Sequence, residues 1–191
     1  MVIFQPSTHK VVVIYDTRDK YWFFPRGRKD MGESLETTAI REAYEESGYQ
    51  AEFLPLYIPT QAPAPPSERS RYDLPNTEPF YVTMSSWSPR RGNRRMGGEY
   101  LTSWWIGQIP ENAVHTKNTG MPDEQTYTSH LCTYEQAMGL VFGSERDVLR
   151  YAWAVYVHTL ETQERQRRAQ ARQSQTPADN TEPKAARRAT T

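Results

Sequence analysis

The chain has 191 residues, enough for one domain with a sizeable core. Its formal net charge is zero, which excludes a global attraction to polyanions, and its one cysteine, Cys132, excludes an internal disulfide or a cysteine metal cluster. Residues 1–10 hold no apolar signal-peptide core, and no stretch approaches the roughly 20 apolar residues that span a bilayer, so a cytoplasmic protein, with a nuclear one as the alternative, and no membrane contact are expected.

Lys10–Asp16 is β-branched and apolar and reads as a buried strand. A polar turn follows, then an aromatic strand over residues 21–24 ended by Pro25, which suggests a hairpin. Leu35–Ser47 reads as a helix, with Ser34 as N-cap and Gly48 as the C-terminal stop. Leu35, Ala39, Ile40 and Ala43 give it an apolar stripe. Residues 51–56 look like another strand.

Residues 55–79 hold seven prolines and read as a long insertion rather than regular structure. Strands are expected over residues 80–84, 100–109 and 129–132, with a Gly- and Arg-rich loop between the first two. Thr133 begins a short helix with Gln136 placed for a capping box. Ser144 caps a final helix whose stripe is Val148, Leu149, Ala152, Val155 and Tyr156. From Thr162 the apolar period is lost, and seven basic side chains outnumber three acidic ones. The expectation is therefore one domain over residues 1–161 and a disordered polar tail over 162–191. Mixed strands with helices on both sides suggest an α/β sandwich.

The chemistry concentrates in residues 27–49, GRKDMGESLETTAIREAYEESGY. On a helix, Glu42 and Glu46 lie one turn apart on one face, with Glu45 beside them. Three adjacent carboxylates repel, and a hard divalent cation with oxygen ligands removes that conflict. Arg41 can bridge a carboxylate such as Glu33 with both prongs of its fork. An acidic run alone would read as a solvated helix face.

The wider spacing, Gly27, Glu33, Arg41-Glu42, Glu45-Glu46 and Gly48, resembles the Nudix box position by position. Ala43 and Tyr49 depart from its preference for bulky aliphatic residues. The resemblance is specific over residues 27–49 and looser over 4–160. It implies an α/β/α sandwich with a mixed sheet and a hydrolase that cuts a pyrophosphate bond with Mg²⁺ or Mn²⁺. By position, Glu42 and Glu46 match the family's metal ligands, and Glu45 a further ligand or supporting carboxylate. The Arg26 carbonyl matches a backbone ligand, and Arg41 with Glu33 an orienting pair. In that mechanism a carboxylate takes a proton from water, which attacks phosphorus in line. Glu45 is one candidate base; Glu99, Glu111 and Glu124 are others, with Glu124 favoured because the region after Asp123 resembles diadenosine tetraphosphate hydrolases.

FPRGRKDMGES also resembles the box variant of diphosphoinositol and diadenosine polyphosphate phosphohydrolases, so a phosphorylated small-molecule substrate of one of these kinds is expected. Arg26, Arg28 and Lys29, with Arg91 and Arg94 from the cluster Arg90, Arg91, Arg94 and Arg95, are the expected phosphate contacts. Tyr15, Tyr21, Trp22 and Tyr127 are aromatics able to stack on a base or to fill the core. The alternative is a non-catalytic Nudix module that binds RNA or a regulatory nucleotide, with nucleic acid the less favoured partner. Retention of Glu33, Glu42, Glu45 and Glu46 argues for the enzyme.

Overall fold

The computed structural model describes residues 1–60, 74–88 and 97–174. Its elements in chain order are β1 (Val2–Gln5), β2 (Lys10–Asp16), β3 (Tyr21–Phe23), α1 (Leu35–Ser47), β4 (Glu52–Phe53), β5 (Tyr81–Trp87), β6 (Gly98–Trp104), β7 (Ile106–Gln108), β8 (Tyr127–Cys132), α2 (Tyr134–Leu140) and α3 (Ser144–Ser174).

The main sheet is mixed, in the order β3-β2-β1-β7-β4, with β8 also paired to β2. Strand β2 is its hub. One edge pairs along its length with β8, and the other is shared between β1 and β3. Strands β1 and β7 run parallel, while β4 and β7 are antiparallel. Strands β5 and β6 form a separate antiparallel hairpin.

Alternate side chains of β1 and β2 enter two cores. Val2, Phe4, Val11 and Val13 join Ala137 of α2 and Val148, Leu149, Ala152 and Tyr156 of α3. Met1, Ile3 and Val12 join Ala43, Ala39 and Ile40 of α1. Period-two side chains thus sort to opposite faces and give the expected layers, helix, sheet and helices.

Strand β1 was not foreseen, the strand expected over 51–56 is Glu52–Phe53 with only an isolated bridge at Leu56, and three further expectations need correcting. Strand β1 is only four residues long, VIFQ, too short a run to carry the β-branched apolar signal that marks the seven-residue β2. The strand expected over 100–109 is two, divided at Trp105. Trp104 packs in the α3-side core and Trp105 in the α1-side core, and the chain passes there from the hairpin into the main sheet. Leu35 is half exposed rather than part of a buried stripe, because α1 turns Thr38, Glu42 and Glu46 inward instead. The expectation of disorder from Thr162 fails over residues 162–174, where α3 continues to Ser174. Tyr57 donates through its hydroxyl to Gln166 Oε1 at 2.7 Å, tying part of that stretch to the domain. Residues 61–73 of the proline-rich insertion and 175–191 of the tail lie outside the described residues, as do Arg90, Arg91, Arg94 and Arg95.

Candidate active site

Helix α1 carries most of the site, and its ends are fixed by local chemistry. The Ser34 hydroxyl accepts from Thr37 N–H at 3.1 Å, satisfying one of the free donors of the first turn. Gly48 ends the helix at φ 72°, a left-handed conformation open to glycine, and its N–H donates to the Tyr44 carbonyl. The loop before β8 then docks on the helix end: Thr116 N–H donates to the Gly48 carbonyl, and the Thr119 hydroxyl donates to the carbonyls of Tyr44 and Glu45. That loop delivers Glu124.

One carboxylate oxygen each of Glu42, Glu46 and Glu124 lie within 4.8 Å of one another, with Glu42 and Glu46 buried and Glu124 half-buried. Burial raises the Glu46 carboxyl to about 8, helped by the negative charges of Glu42 and Glu124 and opposed by the Arg26 N–H. Burial also raises Glu42, against the pull of Arg41. Three acids this close in a half-dry setting cannot all ionise cheaply. An all-oxygen set of this kind suits a hard divalent cation such as Mg²⁺ or Mn²⁺.

Arg41 braces the group. Its Nε and Nη2 grip the two oxygens of Glu33 at 2.9 and 3.0 Å, and its Nη1 donates to Glu42 Oε1 at 2.9 Å and Glu45 Oε2 at 2.8 Å. Its Nη2 also donates to the Arg28 carbonyl at 3.1 Å. This partnership holds the Glu33 carboxyl down at about 2. Glu45 is thus committed to Arg41 and stands outside the group of three. The close approach of Glu42 to the loop explains Gly27: a Cβ there would sit 2.0 Å from the Glu42 carboxyl carbon.

Arg26 contributes its main chain, donating N–H to Glu46 Oε2 at 2.7 Å. Its guanidinium pairs with Glu145 Oε1 at 2.6 Å and donates to the Phe24 carbonyl, and the residue lines the same cleft as Arg28 and Lys29. Glu145, which sequence reasoning missed, also accepts from Phe24 N–H at 2.7 Å. Its only sequence signal, an acid in the first turn of a helix, is the ordinary complement to the helix dipole.

Two clefts flank the carboxylates. One, of about 400 Å³, is lined by Glu45, Glu46, Lys117, Glu124 and Tyr127. The other, of about 380 Å³, is lined by Arg28, Lys29, Glu42, Ser85 and Tyr100. The remaining candidates sit apart from the carboxylate group: Glu99 is exposed on β6 and Glu111 lines a different groove. Tyr15 and Trp22 pack on each other at 4.7 Å, whereas Tyr21 and Phe23, at 5.1 Å, and Tyr127 beside Phe23 form an aromatic wall near Glu46.

A family model described as the NUDIX domain matches residues 1–107. The mouse protein "Nucleoside diphosphate-linked moiety X motif 6" is 44% identical over 57 residues, covering 28% of this chain and 18% of that protein. Its human counterpart is 41% identical over 54 residues, covering 27% and 17%. The chain thus spans less than a fifth of the curated relatives it matches. Among solved structures, an Ap4A hydrolase of C. elegans is similar over 82% of this chain and 93% of its own, with 13% identity and a TM-score of 0.46.

Proposed function

From the premise that the chain belongs to the NUDIX domain family, matched over more than half its length, we propose a metal-dependent hydrolase that cuts a pyrophosphate bond in a phosphorylated small molecule. The observation that carries this reading is the convergence of Glu42, Glu46 and Glu124 within 4.8 Å. These residues would hold Mg²⁺ or Mn²⁺, with the Arg26 carbonyl as a further oxygen beside them. A cation there supplies neutralisation of pyrophosphate charge and acidification of water.

The chain's own residues do the rest. Arg41 fixes the carboxylate of Glu42 and ties Glu45 and Glu33 to the same guanidinium, so the acids are oriented before substrate arrives. Glu124, which lies outside the Arg41 network and is half-buried where Glu42 and Glu46 are buried, is the member of the group best placed to accept the proton of the attacking water. Arg28 and Lys29 hold phosphate oxygens from the 380 Å³ cleft. Clefts on both sides of the carboxylates suit a substrate with an arm on each side of the scissile bond. A dinucleoside polyphosphate is therefore favoured, with a diphosphoinositol polyphosphate second, and Tyr100 and Tyr127 offer one aromatic surface to each cleft.

Phosphate release with Mg²⁺ from dinucleoside polyphosphates, diphosphoinositol polyphosphates, nucleotide sugars and nucleoside triphosphates tests the reading. We expect one of the first two classes to turn over fastest, and Glu46→Gln to lower that turnover by orders of magnitude in a folded protein. Equal, feeble turnover of every class, or full activity in Glu46→Gln, would overturn it.

A further inference from the structure

We propose that Glu145 is a positioning residue for the metal-binding carboxylates, acting through residues 24–27. The inference rests on the metal-dependent reading above. Glu145 comes from the first turn of α3, in the layer whose core is separate from that of α1. Its carboxylate is buried and both oxygens are used: Oε2 accepts from Phe24 N–H at 2.7 Å, and Oε1 pairs with Arg26 Nη1 at 2.6 Å. The same Arg26 nitrogen donates to the Phe24 carbonyl at 3.1 Å. Both main-chain groups of a fully buried residue are therefore held by one ion pair. The guanidinium carbon also lies 5.6 Å from the Phe23 ring centre and 6.0 Å from that of Trp104, which limits its freedom further.

What this clamp holds is the platform for two of the three carboxylates. Arg26 N–H reaches Glu46 Oε2 at 2.7 Å, and the Glu42 carboxyl rests on the bare Cα of Gly27, the next residue. Glu145 itself lies outside the group of three and bonds to the platform, not to the carboxylates. A buried ion pair is weak support for stability, because desolvation offsets most of the attraction and an apolar pair of the same shape serves as well. Outer groups that orient ligands, by contrast, change metal affinity by roughly 10–100-fold when removed. The position of this acid is therefore explained by orientation of the ligands.

Mn²⁺ titration of the full-length chain, followed by electron paramagnetic resonance well below the melting temperature, tests this. The wild type is expected to bind Mn²⁺ and Glu46→Gln to bind it weakly. Absence of binding by the wild type, or unchanged binding by Glu46→Gln, overturns the metal reading and the proposal with it. Glu145→Gln keeps an oxygen for Phe24 N–H but loses the ion pair, and its Mn²⁺ dissociation constant is expected to rise about 10-fold. A folded Glu145→Gln whose melting point drops while its Mn²⁺ constant stays at the wild-type value overturns the positioning role alone. Should that variant fail to fold, Arg26→Gln decides. It keeps the main-chain N–H to Glu46 and breaks the same pair, so weakened Mn²⁺ binding supports the proposal and unchanged binding overturns it.

Discussion

The Glu42 carboxylate fits between two fixed features, the Arg41 fork on one side and the bare Cα of Gly27 on the other. A methyl group at residue 27 meets the end of a flexible side chain, not backbone, so the fold can absorb it by moving Glu42 away. Gly27→Ala is therefore expected to reduce Mg²⁺-dependent turnover far more than stability. Kinetics beside a thermal melt checks this, and equal small losses in both would count against the packing argument. Glu46 makes a pH prediction. Its carboxyl sits at about 8 in the folded, metal-free protein against an ordinary 4.5, so the folded state retains a proton that the unfolded chain has released. Stability of the metal-free protein should fall as pH rises from about 4.5 towards 8. A divalent cation, which binds the ionised form, should raise the melting temperature more at pH 8 than at pH 5. An equal increment at both would contradict it. These two glutamates were legible in the sequence because helical spacing alone puts them on one face. Glu124 rested on a weak likeness, since its place depends on how a distant loop docks. Glu145 was invisible, because an acid at a helix start looks the same whether it faces water or clamps a buried arginine.

At the scale of elements, α1 could be read to the residue: its caps, Ser34 and Gly48, act through bonds to the adjacent backbone. Strand β1 could not, because its four residues are too few to form the apolar β-branched run that made β2 readable. The far end of α3 was misread for the opposite reason. Its Gln- and Arg-rich composition has no apolar period, yet it continues a helix already nucleated and anchored upstream. Ion pairs from Glu164 to Arg167 and Arg168 support it along one exposed face. Cutting the chain after Leu160 removes the Gln166 partner of Tyr57 while leaving the Tyr57 N–H bond to Thr159. That truncation is expected to lower the melting temperature by a few degrees, about 1 kcal/mol for one lost hydrogen bond, with turnover unchanged. A large loss of turnover in a folded truncation would mean that this part of α3 belongs to the working site.

For the whole molecule, the sheet divides two cores, and the proposed site draws on both. Helix α1 belongs to one core, whereas Glu145 starts the helix that fills the other. Strand β2 joins the layers, pairing with β3 a few residues away and with β8 more than a hundred residues along the chain. The first pairing closes a short loop and the second a very long one, so β8 bears the larger entropic cost of ordering. Glu124 lies on the loop that leads into β8, whereas Glu42 and Glu46 are brought together by their own helix. A chain with its hairpin and α1 formed but β8 undocked would hold two of the three carboxylates and capture a cation poorly. Tight metal binding would then report that the last strand has closed, and the ion would act as a latch on the completed topology.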